Sequence, residues 1–505
     1  MKTIWIFGHQ LTPEMEGIKQ MNPEEDIILM IEADSRSQWQ NYHKQKLVLL
    51  FSAMRHFAEE LRDKGYKVDY RESESFEKGW EEHKSQHEPD EVIVHLPADH
   101  RMRKILKKWK NDQKTDVAFL EEEALFLTKE KDWDSLLDRE KEWRLDPIYR
   151  ELRKRFNVLM DGDNPEGGKW SYDQENRKPP KKGLNFKKPK STRQDQITKD
   201  VIRKVEDTYK DHFGTLDGFD WPVTRKKAEE VFEHFVKYRL KTFGDYQDAM
   251  LEDDPFMSHS LISGSLNIGL LQPMKVIERA EKAFRDGDAP LAAVEGFIRQ
   301  VLGWREYMRA VYLKKMPGYE KGNALRHQLP LPEFYWDGET NMNCVHQSVK
   351  SIQNNGYSHH IQRLMVLGNF ANLAGIKPKQ VSDWFNEVYI DAYDWVVLPN
   401  VLGMALYADD GLISTKPYVS SGNYINKMSD YCGSCRYSVK KKSGEDACPF
   451  NSLYYDFLSR HEEKLSGNMR MKFNYKNLGK LDEEEKEQIL NRARDVKKMM
   501  KKGEL

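Results

Sequence analysis

Cysteine is scarce in this chain, at four in 505 residues. Disulfide frameworks belong to small, cysteine-dense secreted domains, so one is excluded here. No run of about 18 or more apolar residues occurs, so nothing reads as a membrane-spanning helix. The N-terminus, MKTIWIFGHQL, turns polar after Phe7 and shows neither a signal-peptide core nor a cleavage site. A cytoplasmic protein is expected. Charge of one sign is also lacking: 81 Lys+Arg stand against 82 Asp+Glu, for a net charge of −1. That balance excludes a globally basic nucleic-acid coat and a globally acidic tail protein, though not a local basic face. Apolar residues, in contrast, are plentiful at 39%, and aromatic residues reach 11%. The chain can build large cores, and its length suggests about two to four domains.

The first part alternates strand and helix patterns. Apolar runs read as buried strands at Thr3–Phe7, Ile27–Ile31, Val68–Tyr70, Val92–His95 and Val117–Leu120. Between them lie helical stretches such as Lys46–Lys64, with apolar residues at Leu47, Leu50, Met54, Phe57 and Leu61. This alternation predicts an α/β domain over residues 1–130, with a Rossmann-like parallel sheet covered on both faces. The first strand runs into Gly8-His9-Gln10, which lacks a dinucleotide-binding glycine pattern. Ligands of open sheets sit at the carboxyl ends of strands, which points to Gln10 and to Glu32–Arg36. Residues 131–215 form a connection. Within it Arg177–Arg193 carries eight basic residues in 17 and no acid, with three prolines and a glycine against helix. It reads as a solvated linker or as a flexible basic arm that pairs with phosphates. Residues 216–505 read as almost wholly helical, with starts at Thr224, Asp254-Pro255 and Lys377-Pro378. Leu481–Leu505 reads as a charged surface helix or tail.

Four constellations carry chemistry. Cys344, Cys432, Cys435 and Cys448 are spaced C-x87-C-x2-C-x12-C, with Pro449 after the last. Four thiolates suit an iron–sulfur cluster or zinc, and the aromatic surroundings and trailing proline lean toward iron–sulfur over zinc or chance. His359-His360 lies in Tyr357–Leu364. Adjacent histidines on a helix point about 100° apart, so one can face a core and the other a cavity. Trp304, Trp336, Trp384 and Trp395, with Tyr393, Tyr418 and Tyr424, form a ring-rich region that is either core or an electron relay. Gly244-Asp245-Tyr246-Gln247 and His259–Gly269 are rich in small hydroxyl residues, which serve as helix caps or hold a diphosphate.

Together these pieces resemble the photolyase/cryptochrome family over nearly the whole chain. Ser260–Asn267 resembles its flavin-diphosphate segment. Phe297–Tyr307, with Trp304-Arg305-Glu306-Tyr307, resembles the helix beside flavin and lesion. Asp383–Glu387 through Asp391, Asp394 and Asn400 resembles the segment around the isoalloxazine ring. The cysteines, Tyr357–Leu364, Phe51–Phe57 and the basic connection resemble the iron–sulfur bacterial branch, the FeS-BCP or prokaryotic (6-4) photolyases. That resemblance implies FAD, a 4Fe–4S cluster on the four cysteines and a 6,7-dimethyl-8-ribityllumazine antenna. It implies a monomeric enzyme that uses light to repair (6-4) photoproducts in UV-damaged DNA. A blue-light sensor shares the fold, and an iron–sulfur DNA-binding protein without photochemistry is the reading from another class.

Carried onto this chain, the resemblance assigns His360 as proton donor with His359 beside it, His360 staying charged after a modest pKa shift. It assigns Trp384 and Trp336 to electron relay. It gives FAD to Tyr246, His259, Ser260, Leu261, Ser263 and Asn267, and further to Trp304, Glu306, Asp391, Asp394 and Asn400. The antenna falls to Gln10, Glu32, Ser52 and Arg55, and DNA to Gln300, Arg363, Lys181, Lys182, Lys187 and Lys188. The chain departs from the family at His9, where an acid is usual, at Arg36, and at Phe385, where the family has a more oxidisable ring.

Overall fold

The computed structural model describes residues 1–121, 124–137 and 143–505. Five strands form a parallel sheet: β1 (Lys2–Trp5), β2 (Ile27–Ala33), β3 (Lys67–Ser73), β4 (Glu91–Leu96) and β5 (Asp116–Glu121). Their order is β3-β2-β1-β4-β5. All seven residues of β2 are buried, as a strand covered on both faces requires. The order reverses at β1, so the carboxyl ends of β1 and β4 diverge and leave a crevice. One face is covered by the helix Lys44–Asp63, whose Leu47, Phe51, Met54, Phe57 and Leu61 are all nearly inaccessible. His43 caps it by accepting from the Gln45 N–H at 3.0 Å. The other face buries Trp5 against Trp80, stacked at 5.8 Å. Cutting either ring to alanine would cost about 3–5 kcal/mol.

One apolar core continues from the sheet into the helices, joining Ile4, Phe57, Val201, Ile277, Val366 and Val496. The helical expectation holds beyond residue 216, with exceptions in detail. Thr224 caps the helix Arg225–Tyr238, and Pro378 opens the helix Pro378–Val388. Asp254-Pro255 starts no helix. The Asp254 side chain accepts from the Phe256 and Met257 N–H groups and holds a turn, the local alternative open to aspartate. The C-terminus is no free tail: the helix Glu483–Lys502 buries Ile489, Ala493 and Val496 completely, and the Leu505 carbonyl accepts from Asn341 N–H.

Arg177–Arg193 avoids regular helix, as its prolines dictate, but it is not a loose arm. Leu184 and Phe186 insert against Tyr246, Ala249 and Met257. Lys178 pairs with Asp245 at 2.8 Å and Lys190 with Glu230 at 3.4 Å. Apolar anchors and ion pairs thus lay the segment along the helical part.

Candidate active site

A cavity with about 1410 Å³ of empty space, part of it open to solvent, lies among the helices. Three π turns form its walls: Arg299–Trp304, Gln362–Gly368 and Pro399–Ala405. Each inserts an extra residue into a helix and re-aims the side chains that follow, a device common at functional sites. The first brings Gln300, Val301, Trp304 and Arg305 to the wall, and the third brings Asn400. Trp304 Nε1 donates to Asn400 Oδ1 at 2.9 Å, which fixes the ring. Opposite, Ser263 Oγ donates to Asp391 Oδ2 at 2.7 Å and Asn267 Nδ2 donates to the Asp391 carbonyl at 2.9 Å. Arg363 pairs with Asp391 at 3.0 Å and stands 3.8 Å over the Tyr389 ring. Asp391 is held below the ordinary carboxylate range by Arg363 and the Ser263 hydroxyl, against the opposing effect of burial. Leu261 adopts the left-handed region at φ 61°, a strained choice for leucine that turns the Ser260–Ser263 segment into the wall.

Three histidines share this cavity. His259 and His359 stack at 4.6 Å, and neither ring nitrogen of His359 nor Nε2 of His259 has a hydrogen-bond partner. The two adjacent histidines do not share a helix: His359 precedes it and is 2% exposed, whereas His360 begins it and faces the open cavity. Burial pushes the His259 pKa down to about 3, that of His359 well below its usual value and that of His360 to about 4, with Arg363 adding to each. Solvent reaches His360 through the mouth, but protein surrounds it on its other sides. The expectation that His360 stays charged is therefore corrected. Desolvation beside a fixed guanidinium works against the charged ring.

Of the residues expected around FAD, His259, Ser260, Leu261, Ser263, Asn267, Trp304, Asp391 and Asn400 line the cavity. Tyr246, Glu306 and Asp394 do not. Tyr246 packs under Phe186. Glu306 is fully buried, where it accepts from Leu127 N–H, Thr128 N–H and the Thr128 hydroxyl. Asp394 lines a second cavity. Phe385, from the segment expected around the isoalloxazine ring, lines the first cavity, as do Tyr357, Tyr389 and Trp395, which were not named for FAD. Trp384 lies behind Phe385 at 5.2 Å and 6.5 Å from Trp336, so the rings run outward from the cavity wall.

The four cysteines converge. Cys344, Cys432, Cys435 and Cys448 line one apolar pocket of about 330 Å³ with Met342, Ile425, Tyr431, Tyr437 and Phe450. Gly422 is required there, because a Cβ would stand 2.8 Å from Cys448 Sγ. Burial and the neighbouring thiols push Cys344 well up and Cys448 to about 12, so thiolates gather here only around a positive centre.

The second cavity, about 1020 Å³ and also part open, lies at the carboxyl ends of β1, β2 and β4. Glu32 is the one antenna residue of the four that lines it. Arg55 and Lys204 pair with Glu32 at 2.8 and 2.6 Å. Gln10 is spent internally, donating to the His95 carbonyl and accepting from Phe7 N–H. Ser52 is buried away from the cavity. Arg36, Lys46, Asp99 and Asp394 form the rest of its charged lining. On the sheet's far side, Asp69, His83 and His87 come within metal-binding reach of one another, but Arg71 already holds the Asp69 carboxylate at 2.7 Å. Of the DNA residues, Gln300 and Arg363 line the first cavity, while Lys181, Lys182, Lys187 and Lys188 are exposed on the Arg177–Arg193 segment.

Comparison with known proteins settles the family. Over 496 residues the chain is 42% identical to the "(6-4) photolyase" of Agrobacterium fabrum, covering 97% of this chain and 98% of that one. The chain belongs to the photolyase family. The profile described as "Deoxyribodipyrimidine photo-lyase-related protein" matches residues 4–221 of this photolyase. A crystal structure of a bacterial class III photolyase from Agrobacterium tumefaciens shares its fold, with a TM-score of 0.58, 14% identity and 98% of each chain covered. A shorter uncharacterized protein of Acanthamoeba polyphaga mimivirus is 41% identical over 103 residues, 20% of this chain and 76% of that one.

Proposed function

We propose that this photolyase repairs (6-4) pyrimidine–pyrimidone photoproducts in UV-damaged DNA. The observation that carries this reading is the stacked pair His259 and His359, with buried unpartnered nitrogens, beside His360, which stands exposed at the mouth of the same ring-lined cavity. A light sensor needs the rings and not a proton-bearing group at the mouth. The lesion weakens its own duplex, so extruding it into such a cavity costs only a few kcal/mol.

The cavity fits FAD, which the family implies: it is large enough, ring-lined, and its Ser260–Ser263 wall offers hydroxyls and turned backbone to a diphosphate. Ser260, Ser263, Asn267, Trp304, Asp391 and Asn400 would hold it. When bound and reduced, FAD supplies the light-driven electron. Trp304 and Gln300 orient the lesion at the mouth. Arg363, fixed by Asp391, meets a phosphate. The approaching phosphate offsets the Arg363 charge and raises the His360 pKa, so a His360 ring nitrogen takes up a proton as the substrate enters. His360 then delivers that proton to the lesion, which fills the mouth and so keeps bulk water from competing.

The cysteine pocket fits a 4Fe–4S cluster better than zinc. Its four cysteines stand among Tyr431, Tyr437 and Phe450 with Pro449 after the last of them, and four thiolates are the full ligand set of such a cluster. The second cavity fits an antenna chromophore such as a ribityl lumazine, held by Glu32, Arg36, Lys46 and Asp394. The chain divides as 1–130 for the antenna, 131–215 for the connection and 216–505 for FAD and cluster, in a cytoplasmic monomer. Light-dependent reversal of a (6-4) lesion in a defined oligonucleotide, with a cyclobutane dimer as comparison, tests the reading. Normal flavin photoreduction without repair of either lesion would hand the protein to light sensing.

A further inference from the structure

The cysteine pocket and the first cavity are tied by buried hydrogen bonds. Tyr431 directly precedes Cys432, and its ring lines the cysteine pocket. Its hydroxyl accepts from Gln362 Nε2 at 2.9 Å, and Gln362 Oε1 accepts from the His359 N–H at 3.0 Å. Tyr431 is 1% exposed and Gln362 and His359 are 2% exposed, so water has no ready access to replace either bond. A second tie runs through the helix Asn343–Asn355. Cys344 stands in its first turn, and Ser351 near its end donates to the Tyr357 carbonyl at 2.7 Å. The two ties are themselves joined, since Asn343 Nδ2 donates to the Tyr431 carbonyl at 3.0 Å.

Both ties end on residues 357–359, which carry no regular structure. The His359 ring makes no hydrogen bond of its own that could fix it. Its place, and the start of the helix that presents His360, therefore follow from where the backbone is held. An amide suits the task. Gln362 accepts at oxygen and donates at nitrogen at once, which an apolar side chain of the same length cannot do.

We propose that Gln362 and Tyr431 are positioning residues that carry the geometry of the cysteine site to the His359–His360 segment. The integrity of the cysteine site thereby sets where the proton-bearing ring stands. This rests on the repair reaction proposed above and gives the cysteine site a part in it. Removing the Tyr431 hydroxyl leaves the Gln362 amide unpaired in a dry interior and loosens the segment beyond it.

The test uses holoprotein with flavin and iron contents checked. Tyr431→Phe and Gln362→Met should bind a (6-4) oligonucleotide about as tightly as wild type. Their repair quantum yield should fall roughly tenfold, part of the hundredfold that a misplacement of about 1 Å can cost. Gln362→Glu still accepts from the His359 N–H and can take the Tyr431 hydroxyl as donor, so it should recover most of the yield. A merely structural role would lower cofactor content and binding together, with no such split and no such recovery. Ser351→Ala, which cuts the other tie away from the cysteines, reads the same quantity should Tyr431→Phe fail to load. Hydrogen exchange of the 356–362 peptide supplies a readout independent of repair and should quicken in Gln362→Met. Wild-type yield and wild-type exchange in these variants would overturn the proposal. A wild type that repairs no (6-4) lesion would overturn the repair reading instead, while the exchange result still decides this one.

Discussion

The two large cavities share Ala392 and Trp395 as a common wall, yet they handle charge in opposite ways. In the first, burial disfavours charge on His259 and His359, partial desolvation and Arg363 lower His360 at the mouth, and the internal ion pair is Arg363–Asp391. In the second, Glu32 sits between Arg55 and Lys204, Arg36 donates to the Tyr42 hydroxyl at 2.6 Å, and Lys46 donates to the Asn386 carbonyl at 3.0 Å. A site that must receive a proton on demand benefits from groups left uncharged until the substrate arrives. A site that only has to hold a chromophore still benefits from polar groups already held in place by partners. The comparison can be broken at several points.

The largest effect should come from the cysteine pocket, which is hydrogen-bonded to the first cavity through Tyr431 and Gln362. Cys435→Ala leaves an incomplete ligand set in a pocket where binding energy is folding energy. Soluble yield should collapse, as read by iron content and by the amount of protein recovered. Stable, iron-replete mutant protein, or a wild type carrying zinc and no iron, would contradict the cluster assignment.

His360→Ala should retain flavin, iron and photoreduction while repair falls about a hundredfold, the loss expected for a missing general acid. The histidines of this cavity also make the fold acid-labile. Their folded pKa values lie below the unfolded value of about 6.5, so their contribution is fully present above that pH and is lost as pH falls toward about 4. The thermal midpoint should drop across that window, and His360→Ala should soften the drop. An equal pH slope in mutant and wild type would place the acid lability elsewhere.

How far this could be read from the sequence differs between the cavities. Apolar runs alternating with helical stretches disclosed the sheet, because its central strands β1, β2 and β4 bury both faces. The first cavity was largely legible too. Ser260–Asn267, Trp304 and Asp391 lie on short contiguous motifs. Its π turns were not, since an extra residue in a helix leaves no mark in apolar spacing, and Tyr389 was not named as a wall residue. The second cavity was read poorly. Gln10, Ser52 and Arg55 lie at the right strand ends and on the right helix, but whether a polar side chain faces a crevice or is spent on a backbone carbonyl depends on partners far along the chain, as His95 is for Gln10. Lys46 and Asp394 meet there across 348 positions of sequence separation, beyond the reach of any local pattern.

Smaller effects should follow at the edges of the first cavity. Trp384→Phe preserves shape and removes an oxidisable ring 6.5 Å from Trp336. Photoreduction with an external thiol reductant should slow severalfold or more, while repair starting from chemically reduced flavin persists. Normal photoreduction would move the relay to Tyr389, which also lines the cavity. Neutralising Lys181, Lys182, Lys187 and Lys188 should weaken DNA binding and flatten its salt dependence by up to about one unit of slope per lost contact. Lesion preference should survive, because phosphates carry no lesion information. An unchanged slope would leave these four exposed lysines a solvated face.

The smallest effect on repair should come from the second cavity. Lys46 is buried, its Nζ 4.6 Å from the Tyr42 ring centre, and burial beside Arg36 pushes its pKa down to about 7. Burial also raises Asp394, with Asp99 adding to the effect. Lys46 therefore loses its proton just above neutrality, and a chromophore that relies on its charge should be released as pH rises through about 7. Lys46→Met keeps the length of the stem, so the cavity should keep its shape. Antenna absorbance should fall severalfold and its pH dependence in this range should flatten. Repair driven by light that the flavin itself absorbs should stay within about twofold of wild type, because His360, Arg363 and Asp391 lie across the Trp395 wall. The action spectrum separates the outcomes: loss confined to the antenna band means that the cavities act independently. A matching fall in flavin-driven repair would mean that the shared wall transmits more than it divides.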